Sequence, residues 1–212
     1  MVRERRRSSP NAAADLDLKQ KMKYVKPLKL YRELIKKNVM KSKPSEWHRL
    51  LCLDICNKYL HLAVSNPENT ISMPLRPIHR HEHDMDLMAD KFQTLISKHR
   101  VMGFIVRYPY KLILDKGKLD GAEVENFVYS MYKTRQLRGL EYTYWDDCFS
   151  SMNMDLVLNH HVDLICNHLN LPEEVSQEIM DKFYASRVLQ GYLDCAKMTV
   201  EVDKEEDKLD NP

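Results

Sequence analysis

The sequence predicts a mixed α/β domain: one five-stranded sheet with helices on both faces. Three observations carry this. Residues 50–78 hold three extended apolar pieces joined by short turns, and strands that follow one another so closely pair as antiparallel hairpins. Two later strand-like runs, residues 101–106 and 140–145, each follow a segment with helical spacing, so they reach the sheet by crossover and lie parallel to the first strand. The run Val101-Met102-Gly103-Phe104-Ile105-Val106 is apolar throughout, as in a strand covered on both faces.

Taken in order, residues 1–18 are charged and interrupted by Pro10, and they lack a periodic apolar pattern. Leu28, Tyr31, Leu34 and Ile35 mark one short amphipathic helix over residues 28–40. Lys41-Ser42-Lys43-Pro44-Ser45 reads as a linker. The expected organisation is therefore a basic extension over 1–45, disordered or partly helical, a domain over 46–198, and an acidic disordered tail over 199–212.

Within the domain, the first hairpin turns at residues 56–59 and the next at Pro67-Glu68-Asn69. Pro74 and Pro77 confine the third extended piece to a sheet edge or to irregular pairing. His79, His81 and His83 alternate in a polar loop without a further Cys or His at ligand spacing, so they read as solvated. Met85, Met88, Phe92, Leu95 and Ile96 form the inner stripe of a helix. A second helix over 121–135 turns Val124, Phe127, Val128 and Met131 inward, and two more are expected from about Ser150 and from Pro172.

Composition narrows the function. No apolar run approaches the roughly 18 residues that cross a bilayer, and the basic N-terminus lacks a secretory h-region. Five cysteines without regular spacing point to a reducing compartment and away from a disulfide scaffold or structural zinc. A soluble intracellular protein is expected, in cytoplasm, nucleus or an organelle. Residues 1–49 carry 15 Lys and Arg against 5 Asp and Glu, a balance of +10 that leaves −8 for the rest of a +2 chain. A basic arm on an acidic domain suits contact with a polyanion, and equally a solvating or targeting extension.

Three acids fall at telling places. Asp54 sits inside the first apolar run, where a carboxylate is costly unless paired or ligated. Asp147 follows the last strand, where it could also cap a helix, and Asp181 lies on the final helix. Sites in open α/β sheets form beyond the carboxyl ends of strands, and oxygen ligands there suit Mg²⁺ or Mn²⁺.

The segment Leu51-Cys52-Leu53-Asp54-Ile55-Cys56-Asn57-Lys58-Tyr59-Leu60-His61-Leu62-Ala63-Val64-Ser65-Asn66 resembles the opening motif of the YqgF/RuvX family, L-G-x-D-x-G-x-K-R-I-G-x-A-x-S-D. Val106-Arg107-Tyr108-Pro109 stands at that family's Val-Gly-Leu-Pro strand end. Trp145-Asp146-Asp147-Cys148-Phe149-Ser150-Ser151 is similar to its D-E-R-L-T-T signature. Residues 181–194 resemble its closing D-x-x-A-A-x-x-I-L-Q-x-Y-L-D. The family has an RNase H-like fold and is described as Holliday junction resolvase or pre-16S rRNA nuclease. The resemblance implies that Asp54, Asp147 and Asp181 are catalytic carboxylates holding Mg²⁺ or Mn²⁺, with Lys58, Arg107 and Lys182 near nucleic acid. It implies phosphodiester hydrolysis on structured nucleic acid, RNA ahead of DNA, with precursor ribosomal particles as partners and no membrane. Asp147 stands where the family has Glu, Cys56 at its turn glycine and Cys148 at its arginine. Two alternatives follow: a homologue that binds RNA or ribosomal partners without cleaving, and a DNA junction resolvase.

Overall fold

A computed structural model describes residues 22–80, 84–109, 119–145, 168–169 and 172–209; of residues 173–182, 204 and 206–209 it describes the helix backbone only. The elements are β1 (Lys23–Tyr24), α1 (Pro27–Val39), β2 (Arg49–Ile55), β3 (Tyr59–Ser65), β4 (Ser72–His79), α2 (Met85–His99), β5 (Val101–Arg107), α3 (Gly121–Lys133), β6 (Glu141–Trp145) and α4 (Glu173–Leu209). The helix expected from about Ser150 and the first 21 residues lie outside the described residues. No helix among the described residues is long and apolar enough to cross a membrane.

The six strands lie in the order β1-β6-β5-β2-β3-β4. β3 is antiparallel to β2 and β4, whereas β5 and β6 run parallel to β2, as the crossovers require. The sixth strand is β1, which the sequence reading did not anticipate. Two residues leave no period to read, and β1 exists only through its parallel pairing with β6. β4 is an edge strand, one of the two settings that Pro74 and Pro77 allow. Its register against β3 shifts between Leu60 and Leu62, so that Arg76 and Pro77 are carried in a bulge.

Alternation along the strands builds two cores. One face sends Leu51, Leu53, Ile55, Leu62, Phe104 and Val106 against Phe92 of α2 and Phe127 of α3. The other sends Leu50, Cys52, Ala63 and Ile105 against Leu30 and Leu34 of α1 and Ala185, Val188, Leu189 and Tyr192 of α4. Burying each of the leucines is worth roughly 1.5–3 kcal/mol. The two α1 leucines thus tie the basic segment to the sheet on the face shared with α4.

Local chemistry fixes these contacts. Gly103 permits close approach: a Cβ there would meet Leu30 Cδ1 at 2.8 Å and the Glu141 carbonyl oxygen at 3.1 Å. Asn38 closes α1 onto β2, accepting from the His48 amide at 2.7 Å and donating to its carbonyl at 3.0 Å. α3 begins with a capping box between Asp120 and Glu123. α4 is fastened to the sheet edge by Gln190, which accepts from the Ser72 amide at 2.9 Å and donates to the Thr70 carbonyl at 3.0 Å.

α4 continues to Leu209, through most of the stretch read from sequence as an acidic disordered tail. Glu and Lys are good helix formers. An i,i+4 pair from Lys197 to Glu201 and an ion pair between Arg32 of α1 and Asp203 carry the helix past its apolar stripe.

Candidate active site at the sheet edge

Asp54 is the second-last residue of β2, and 2% of it is exposed. Its neighbours Leu53 and Ile55 point into the α2–α3 core, so Asp54 faces the α1–α4 side. The parallel register of Leu53 with Val106 brings Arg107, the last residue of β5, alongside it on that face. Arg107 Nη1 lies 3.5 Å from Asp54 Oδ1, with side chains 11% and 3% exposed. A carboxylate so buried would cost several kcal/mol alone, and the guanidinium offsets that cost. On the other oxygen, the Cys56 thiol donates across 3.9 Å to Oδ2.

The guanidinium is held from above by α4. Arg107 Nη2 donates to the Tyr184 hydroxyl at 3.3 Å, and the Arg107 Cζ stands 4.9 Å from the centroid of the Tyr184 ring. Arg187, one turn further along α4, brings a second guanidinium to the same ring, 4.3 Å from its centroid. Beneath this group, burial pushes the Cys52 thiol well above its ordinary pKa; the Asp54 charge pushes it the same way and Arg107 opposes both. Cys52 therefore stays a neutral packing group.

Asp54 and Arg107 are brought into contact. Arg107, expected beside nucleic acid, is mostly enclosed and shared between Asp54 and Tyr184. Lys58 lies exposed in the β2–β3 turn, where its carbonyl accepts from the Arg80 amide at 2.8 Å. β6 ends at Trp145, two residues before Asp147, which is outside the described residues. Positions 181 and 182 lie in α4, one turn before the buried Ala185, and their side chains are likewise outside. Cys56 does not require glycine's freedom, since among the described residues the non-glycine positions with positive φ are Asn69, Arg100 and Arg135.

Three neighbours were not found from sequence. Tyr184 and Arg187 lie three and six residues after Asp181, a helical spacing that places them along one side of α4. His61 is the antiparallel partner of Asp54 on β3 and is 6% exposed. Its Nδ1 is buried and has no hydrogen-bond partner among the described residues. It stands where the resembling pattern has glycine, and that departure was its signal.

The donor chemistry at Asp54 fits a hard divalent cation, which takes carboxylate oxygen. Among the described residues no three His, Cys, Asp or Glu side chains converge as a metal-binding group.

The chain is similar to known proteins over most of its length. The family model described as "RuvX: Holliday junction resolvase" matches residues 48–195. A "Putative pre-16S rRNA nuclease" of Caldicellulosiruptor saccharolyticus is 23% identical over 147 residues, 69% of this chain and 96% of that protein. Proteins of the same name from Caldanaerobacter subterraneus subsp. tengcongensis and Caldicellulosiruptor bescii are 24% and 27% identical over 149 and 152 residues. The first of these spans 70% of this chain and 98% of the relative, the second 69% and 96%.

Proposed function

This chain belongs to the RuvX Holliday junction resolvase family, and on that premise we propose that it is a nuclease hydrolysing phosphodiester bonds in structured nucleic acid, with precursor ribosomal RNA as its substrate. The observation that carries the reading is the buried carboxylate of Asp54 at the carboxyl end of β2. It is held by a guanidinium at the end of the neighbouring parallel strand and overlain by α4, which bears position 181. A folded domain places a charge there at a cost of several kcal/mol before compensation, which favours a functional origin. The names of the relatives favour ribosomal RNA over branched DNA.

Asp54, Asp147 and Asp181 would hold Mg²⁺ or Mn²⁺. Such ions, when bound, activate a water and stabilise the leaving oxygen of a phosphodiester. The chain's own residues do the rest. Packing of Leu53, Ile55 and Ile105 around the strand ends fixes the Asp54 backbone. Tyr184 orients the Arg107 guanidinium. Arg107 and Arg187 supply planar, permanently charged donors suited to phosphate oxygens. The exposed Lys29, Lys36 and Lys37 of α1, with Lys26 just before it, extend the polyanion contact away from the site.

The test is cleavage of a structured precursor rRNA fragment and a four-way DNA junction by the full chain with Mg²⁺ or Mn²⁺, beside Asp54→Asn. Cleavage of the RNA, lost in the variant, is expected. Activity unchanged in Asp54→Asn would sink the assignment. The basic face of α1 favours a second reading, an RNA-binding module without turnover. Salt-sensitive RNA binding with no cleavage under either metal would select it.

A further inference from the structure

We propose that Arg107 is an exchangeable counter-ion of Asp54: it occupies the carboxylate while no substrate is bound and passes to a substrate phosphate when nucleic acid arrives, leaving Asp54 to the divalent cation. The inference rests on the reading of Asp54 as a metal ligand given above. Three features of the geometry carry it.

The Arg107–Asp54 contact is close enough to neutralise but not locked. Its N···O separation of 3.5 Å exceeds the roughly 2.7–2.9 Å of a tight charge-assisted hydrogen bond. The guanidinium also has an anchor independent of Asp54. Tyr184 accepts from Nη2 at 3.3 Å and offers its ring 4.9 Å from Cζ, so Arg107 can turn away from the carboxylate without losing its place on α4. Finally, Arg187 brings its guanidinium to the same Tyr184 ring, 4.3 Å from the centroid. Two guanidinium groups beside one ring concentrate planar positive charge next to Asp54, chemistry suited to a phosphate.

The consequence is a coupling. A divalent cation on Asp54 and a guanidinium on the same carboxylate repel each other, so each weakens the other's hold. A phosphate that draws Arg107 away relieves that repulsion. Metal and nucleic acid then bind with positive, reciprocal cooperativity, and couplings of this kind are typically about 5- to 150-fold. Arg107 acts as a positioning and phosphate-contacting residue that keeps the site from loading metal before substrate.

The experiment is Mn²⁺ binding to the full chain, read from the loss of the free-ion electron paramagnetic resonance signal, in wild type, Arg107→Gln, Tyr184→Leu and Asp54→Asn. The wild type should bind Mn²⁺ weakly and Arg107→Gln about tenfold or more tightly. Tyr184→Leu, which removes the anchor that competes with the carboxylate and tests the same contact if Arg107→Gln does not fold, should shift the affinity the opposite way, to weaker Mn²⁺ binding, by a smaller factor. In metal-free buffer, Arg107→Gln should weaken binding of a fluorescent RNA hairpin. Equal Mn²⁺ affinity in wild type, Arg107→Gln and Tyr184→Leu, with binding lost in Asp54→Asn, overturns the exchange and leaves Asp54 a ligand. Mn²⁺ affinity indifferent to Asp54→Asn overturns the underlying reading instead.

Discussion

Removing Arg107 while keeping Asp54 should destabilise the protein far more than removing both charges. Two unit charges 3.5 Å apart attract by about 5 kcal/mol at an effective dielectric of about 20. The long N···O separation and the 11% exposure of Arg107 lower the figure, so a coupling energy of about 2–4 kcal/mol is expected. Arg107→Gln alone leaves a buried uncompensated carboxylate and should cost about 3–5 kcal/mol. Asp54→Asn should cost less, because the Arg107 side chain keeps Tyr184 as a partner. The assay is urea unfolding in EDTA of wild type, both single variants and the double variant, followed by circular dichroism. Mn²⁺ added to Arg107→Gln should restore part of the lost stability, because a ligand that binds only the folded state adds its binding free energy. A coupling below about 1 kcal/mol, the range of exposed pairs, would refute the reasoning.

Three further outcomes follow from the packing. Gly103→Ala should cost about 1–3 kcal/mol, because its Cβ would press on Leu30 and on the Glu141 carbonyl; Leu30→Ala made with it should relieve part of that, seen as non-additive urea midpoints. Asn38→Ala should cost about 1–3 kcal/mol by stripping both hydrogen bonds from His48 at the start of β2, measured by the same unfolding experiment. Cys52, whose pKa is raised in the folded state, should make stability fall as pH rises above about 8.5, where the unfolded chain ionises and the native one does not; Cys52→Ala should remove that part of the slope.

Much of this fold is written in local pattern. The continuous apolar run of β5 and the two prolines of β4 each point to a particular setting, and each strand lies in such a setting. β1 was illegible because two residues carry no period and take their conformation from β6. The far end of α4 read as disordered because it lacks an apolar stripe, yet Arg32 and Lys197 hold it through charge. Within the site, Asp54 stood out as a carboxylate among apolar residues. Its pairing with Arg107 did not, because the contact spans 53 residues and depends on the parallel register of β2 and β5. His61 was hidden in the same way: opposite Asp54 across a hairpin, it reads in sequence as one polar residue in an alternating strand.

Every role proposed for the site depends on Asp54 being a metal ligand. A crystal of the full chain soaked in Mn²⁺ with a short uncleavable RNA, examined by anomalous scattering, tests that directly. Anomalous peaks within coordination distance of the Asp54 carboxylate, shared with Asp147 and Asp181 and with Arg107 turned toward phosphate, are predicted. RNA bound with no peak at Asp54, and Arg107 still seated on that carboxylate, would contradict it.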